Sequence, residues 1–171
     1  MPLEVTGLRA LAHPLRLRIL SLLTGTELSA AEVARELGVT HANASYHLRQ
    51  LAAAGEVVVA GEERIRGGVA KRYRHPWEER PGTTPGDPED RALYVRALVA
   101  ELERRFRLRA EGSTLITDAE MWVTPEAWAE IRELCERAST LVHEHAQPPR
   151  TDGTLHVNLT AALFTMGEES A

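Results

Sequence analysis

From Leu8 to Leu22, apolar residues return every three or four positions, at Leu8, Leu11, Leu15, Ile19 and Leu22, the period of a helix with one buried face. Pro14 interrupts the run. Its missing amide and fixed φ suit the first turn of a new helix, so the pattern predicts a short helix to about His13 and another from Pro14 to Leu23, with Gly25 in the exit. A second pair of helical patterns begins at Ser29. Ser29 and Glu32 have the spacing of a capping box, and Val33, Ala34 and Leu37 fill about two turns behind it. Gly38 can take the left-handed conformation that ends this helix, Val39 can pack into the corner, and Thr40 can cap the next helix. That next helix keeps Ala44, Leu48 and Leu51 on one stripe, and its other side carries His41, Asn43, Ser45, Tyr46 and Arg49. Two short helices about a tight turn, the second polar on one side, describe a helix-turn-helix whose second helix suits a major groove.

After Gly55 the pattern changes. Val57, Val58 and Val59 favour a strand, Glu62 to Gly68 is a polar stretch ending in Gly67-Gly68, and Val69 to Tyr73 reads as the returning strand of a hairpin. Arg64, Arg66, Lys71, Arg72 and Arg74 make this the most basic region of the chain, and Arg64 and Arg66, two apart, are expected on one strand face. Pro76, Pro81, Gly82, Pro85, Gly86 and Pro88 then mark a linker or surface loop over 76–90. Beyond it, Tyr94, Leu98, Leu102 and Phe106 give one face of a helix from Arg91 to Arg109. Arg104, Arg105, Arg107 and Arg109 are expected toward solvent, in ion pairs with Glu101, Glu103 and Glu111. Met121-Trp122-Val123 suggests a brief strand, and Thr124-Pro125 starts a helix with an apolar stripe of Trp128, Ile131, Cys135, Ala138 and Val142, widened by Leu134 and Leu141. Pro148 and Pro149 stop it. From Thr154 to Phe164, Leu155, Val157 and Leu159 alternate with His156, Asn158 and Thr160, a half-buried strand, and the residues after Met166 are expected to fray. The fold class is therefore mainly α with small β components: a winged helix-turn-helix over 1–75, the linker, and a carboxy-terminal α+β dimerisation region over 91–171.

Charge sharpens the reading. The formal net charge is −5, but the chain through His75 holds ten Lys and Arg against seven Asp and Glu, while the remainder holds ten against eighteen. The helix pair and hairpin thus lie in the positive half, and local field governs attraction to DNA more than the total does. No apolar run approaches the roughly 18 residues a membrane span needs, and Met1 to Leu20 lacks the layout of a leader, so a cytoplasmic protein with no membrane partner is expected. The single cysteine, Cys135, excludes an internal disulfide and a cysteine-rich zinc site within one chain. His143, Glu144 and His145 lie near a helix end, with Asp152 and His156 beyond. Histidines two apart do not share a helix face, so these read as polar surface and no metal site is assigned. His13 has no nucleophile or acid placed beside it, and Asp118 and Glu120 have no glycine-rich loop, HExxH motif or triad for company, so neither an enzyme nor a cofactor is expected.

The run Leu11-Ala12-His13-Pro14-Leu15-Arg16-Leu17-Arg18-Ile19-Leu20 resembles the opening helix of ArsR-type winged-helix regulators. Ser45-Tyr46-His47-Leu48, followed by Leu51 and Gly55, resembles their recognition helix, and the stretch from Val57 through Lys71-Arg72-Tyr73-Arg74 resembles their wing. The resemblance spans about Thr6 to His75. It implies a homodimer on double-stranded DNA, with His41, Ala42, Asn43, Ser45, Tyr46 and Arg49 lining the DNA side and His47 and Leu48 nearer the helix packing. Asn43 suits adenine, Arg49 a guanine or phosphate, Ser45 and Tyr46 the backbone, and Arg64, Arg66 and Lys71 the flanking phosphates. Thiolate sensors of the family carry cysteines in the first helix of the pair, and Ser29-Ala30-Ala31-Glu32-Val33-Ala34 has none. The second half resembles, more loosely, the extensions of larger ArsR-like regulators around Met121-Trp122-Val123-Thr124-Pro125. There Phe106, Trp122, Trp128 and Phe164 either line an apolar pocket for a small organic effector or fill a core. A repressor is the expected role, and a winged-helix protein-interaction module without specific DNA binding is the rival reading.

Overall fold

A computed structural model describes residues 7–79, 87–112 and 114–167. Two helices open the chain, α1 (Gly7–Leu11) and α2 (Pro14–Thr24), broken where Pro14 predicts it. The break is held by His13, whose Nδ1 accepts the Leu15 amide at 3.1 Å and so caps α2. A two-residue strand β1 (Leu28–Ser29) leads into α3 (Ala30–Leu37), then α4 (His41–Ala53), and the wing strands β2 (Val58–Ile65) and β3 (Gly68–Arg74). The sheet is antiparallel with β3 in the middle, in the order β1-β3-β2. β1 pairs Leu28 with Tyr73 and Ser29 with Arg72, an element too short to show as a sequence pattern. Leu15, Ile19, Leu20 and Leu23 of α2 meet Val33 and Ala34 of α3 and Ala44, Leu48 and Leu51 of α4, with Val57 closing the cluster. This is a mainly helical fold with a three-stranded sheet and a winged helix-turn-helix at its amino-terminal end.

The hairpin is tighter than its sequence suggests. β2 runs on to Ile65, paired with Gly68, so only Arg66 and Gly67 form the loop, and Gly67 has φ 99°, a value that favours glycine. Arg64 is a strand residue opposite Val69 and Arg66 a loop residue, so the two do not share a strand face. Charged side chains pair across the strands as stably as apolar ones at an exposed hairpin, which is why polarity misplaced the tip.

Among the described residues the second half holds two helices, α5 (Pro88–Arg107) and α6 (Pro125–Glu144). Asp87 caps α5, so Pro88 to Asp90, placed by sequence in the linker, are its first turn; Pro81, Gly82, Pro85 and Gly86 lie outside the described residues. α5 packs on α1 and α2, with Ala97 buried and Asp90 accepting from Arg9 at 3.2 Å. Glu101 is buried too, and takes Arg104 at 2.8 Å and Arg105 at 3.5 Å; these two arginines are half-buried rather than solvent-facing. Leu102 and Phe106 are exposed instead. Neither Met121-Trp122-Val123 nor 154–164 is a strand among the described residues, so the described part of 91–171 is helical with irregular segments rather than α+β. A strand is defined by its neighbour, and among the described residues neither segment pairs with one. No helix is long and apolar enough to cross a membrane among the described residues.

Candidate nucleic-acid interface

The interface is built by three caps. Ser29 Oγ accepts the Glu32 amide while the Glu32 carboxylate accepts the Ser29 amide at 2.8 Å, the full capping box. Gly38 ends α3 at φ 66°, ψ 36°, and the Val39 amide reaches back to the Ala34 carbonyl at 3.0 Å. Arg18 donates to the Leu37 carbonyl at 3.3 Å, a second tie on the same helix end. Thr40 Oγ1 then accepts the Asn43 amide at 3.2 Å and starts α4. Each cap contributes about 1 kcal/mol, and together they fix the angle at which α4 leaves the turn.

That angle buries Ala44, His47, Leu48 and Leu51 and leaves His41, Ala42, Asn43, Tyr46 and Arg49 exposed, with Ser45 half-buried. The side chains of His41, Asn43 and Arg49 make no hydrogen bond or ion pair among the described residues. Donors left unpaired along one face of a well-capped helix are free for an external partner.

The wing divides its five cations. Arg72 is structural: it reaches Glu32 at 3.2 Å and Glu63 at 3.1 Å, and donates to the Glu27 carbonyl. Arg74 holds Glu79 at 3.1 Å. Arg64, Arg66 and Lys71 are exposed and make no ion pair among the described residues. Lys71 lies opposite Glu62 and Arg64 opposite Val69, so Lys71 and Arg64 share a face of the hairpin, with Arg66 at its tip. Glu32 joins the two parts of the interface, since the carboxylate that completes the α3 capping box also holds the wing through Arg72. The Ser29 amide, then the Ser29 hydroxyl and the nearby Arg72 and Arg35, hold the Glu32 carboxyl below the usual carboxylate range against an opposing effect of burial.

Behind Tyr46 lies a cluster that sequence spacing gave no reason to assemble. The His47 ring is 4.6 Å from His13 and 5.1 Å from Tyr46, and Arg16 is close to both histidines. Burial, then His13 and Arg16, push His47 down to about 4, and burial and Arg16 lower His13 as well. Both rings are therefore neutral at neutral pH. His47 Nδ1 and Arg16 Nε are buried without a hydrogen-bond partner among the described residues.

Of the aromatic quartet, Trp122, Phe106 and Phe164 are exposed and Trp128 is half-buried; two surface hollows among the described residues are lined by other residues, one around Leu23, Gly25 and Trp77, the other along α6. His143 Nδ1 donates to the Ser139 carbonyl at 2.7 Å and packs its ring 5.2 Å from Trp77. No group of three His, Cys, Asp or Glu suited to a metal ion occurs among the described residues.

No curated protein matches the chain. Residues 11–58, which run from the end of α1 through the helix pair to the first wing strand, match the family model described as a helix-turn-helix domain, and with the hairpin that follows, this chain carries an amino-terminal winged helix-turn-helix domain.

Proposed function

We propose that this chain is a homodimeric, sequence-specific DNA-binding transcriptional regulator of the ArsR-like kind, acting as a repressor. The observation that carries the reading is the unpaired polar face of α4 beside a wing whose Arg64, Arg66 and Lys71 are uncommitted. In this reading α4 enters the major groove, where Asn43 and Arg49 reach base edges and Ser45 and Tyr46 fix the backbone. His41 and Ala42 lie at the amino-terminal end of the helix, the end that approaches the groove floor first. The wing cations neutralise flanking phosphates. Two copies about a two-fold axis place two α4 helices in successive grooves, about 34 Å apart, on a near-palindromic site. Occupying that site excludes polymerase. The aromatic quartet gives no support to an effector pocket within a single chain.

The test is fluorescence anisotropy with duplex tiles from the DNA upstream of the chain's own coding region, with scrambled competitor, at several salt concentrations. One tile bound at least about a thousandfold more tightly than scrambled duplex is the expected result. Equal, steeply salt-dependent binding to every tile would reduce the reading to backbone attraction. Arg49→Ala should weaken the preferred tile by roughly 1–3 kcal/mol and leave scrambled duplex little changed. An equal loss on both makes Arg49 a phosphate contact.

A further inference from the structure

Arg16 carries a charge that the described residues leave without a counterion. It stands in the first turn of α2, half-buried, with one terminal nitrogen donating to the Arg9 carbonyl at 2.9 Å and its Nε buried and unbonded among the described residues. Arg9, Arg72 and Arg74 each reach a carboxylate. Arg16 makes no ion pair among the described residues, and it lies instead beside the imidazoles of His13 and His47, whose rings are 4.6 Å apart. A cation partly withdrawn from water without an anion costs free energy, and an incoming anion recovers it. The planar guanidinium, with N–H groups to spare, suits the oxygens of a phosphate.

Position says which phosphate. Tyr46 is the outer wall of the cluster: its ring meets His47 edge to face at 5.1 Å, and its hydroxyl lies close to the Arg16 guanidinium. Asn43, Tyr46 and Arg49, three apart in sequence, form one exposed row along α4. A row that faces base edges in a groove is flanked by sugar and phosphate, and half or more of the hydrogen bonds in such complexes go there. Arg16 therefore adjoins the polar face of α4 without belonging to that helix. His13 holds it in place, since the ring that accepts the Leu15 amide at 3.1 Å fixes the first turn of α2.

We infer that the junction of α2 and α4 binds one phosphate of the DNA backbone, held by the Arg16 guanidinium and the Tyr46 hydroxyl. Arg16 supplies the charge and N–H donors, Tyr46 supplies an O–H donor, and the His13 and His47 rings pack behind them. This makes α2 a third element of the interface, beside α4 and the wing. The inference rests on the DNA reading of α4 and brings Arg16 into it.

The experiment is anisotropy of the full chain at neutral pH on the preferred tile and on scrambled duplex, over a range of salt, for wild type, Arg16→Gln and Arg16→Lys. Arg16→Gln should bind both duplexes about tenfold more weakly and lower the salt slope by about 0.9, one phosphate contact, whereas Arg16→Lys should keep the slope. The melting temperature of Arg16→Gln should be no lower than that of wild type, because the charge removed has no partner in the fold. An uncharged methylphosphonate, placed at one linkage at a time along the tile, should find a position that weakens wild type and leaves Arg16→Gln unaffected. A slope identical in wild type and Arg16→Gln, whatever the affinity, makes Arg16 a support for α4; it overturns the site and leaves the DNA reading standing. A scan in which every position weakens both proteins alike does the same. A wild type that binds neither duplex overturns the DNA reading and this site together.

Discussion

At His47, one side chain shows how the reading surface and the core depend on each other. The ring is 6% exposed on the back of α4, while its neighbour Tyr46 is 51% exposed on the front, and the two rings touch edge to face. Because the folded state holds His47 at about 4, below the ordinary histidine value of 6.5, the unfolded chain takes up its proton first as pH falls. The stability it permits is complete above about pH 6.5 and declines as pH drops toward 4, with His13 acting in the same direction. Denaturant titrations at pH 7 and pH 4.5 should differ by about 2 kcal/mol on this account. His47→Leu should remove a large part of the difference. An unchanged difference would place the acid sensitivity in other groups, His13 among them, while Glu32, held low by its hydrogen bonds, loses its contribution only as pH falls below its usual 4.5, outside this window.

Between elements, the contacts to watch are the ones that join the wing and the extension to the helix pair. Arg72 is the strut of the wing, tying β3 to the Glu32 capping box and to Glu63. Arg72→Ala should lower stability by about 1–2 kcal/mol and weaken DNA binding without touching DNA itself. Arg66→Ala should instead leave the melting temperature alone and reduce the salt slope of binding by about one phosphate contact. If Arg66→Ala leaves the slope unchanged, the tip does not reach the backbone. The extension meets the head after α6: Arg150 holds Glu36 of α3 at 2.8 Å, and the Gln147 carbonyl lies where a Cβ on Gly25 would come within 2.8 Å. Gly25→Ala should lift this strap from the α2 exit, with faster amide exchange around 146–151 and a loss of about 1 kcal/mol. Unaltered exchange there would show that the strap yields without cost.

For the whole molecule, the separation of charge and of surface type is the governing feature. The positive half carries the helix pair and the wing, and the acidic half carries most of the exposed large apolar side chains, so positive charge and exposed apolar surface are separated along the chain. In the dimer proposed above, the way the two copies join sets the distance between two α4 helices. Inserting five base pairs between the half-sites of the preferred tile rotates one of them by half a helical turn, and affinity should fall to that of a single half-site. Retained affinity would mean that the two heads read independently on flexible tethers.

The amino-terminal half was legible because its signals are local. Ser29, Glu32, Gly38 and Thr40 act within four residues of themselves, and the 3.6-residue stripes of α2, α3 and α4 face a core that the same stretch supplies. The polar side of α4 followed from the same periodicity. Which wing cations are free did not, because Arg72 is spent on Glu32 forty residues away, and no spacing rule reaches that far. Nor could periodicity bring His13 to His47, or Gln147 to Gly25, since those contacts are made by chain folding over long separations. The second half had clear patterns, but its stripes outnumber the surfaces within one chain that could bury them, so 154–160 has the sequence of a strand without the neighbour that makes one. Sequence alone determined the caps, the helices and the face that α4 presents. Tertiary structure decided which charges remain free and which apolar faces stay uncovered, because both depend on partners distant in the chain.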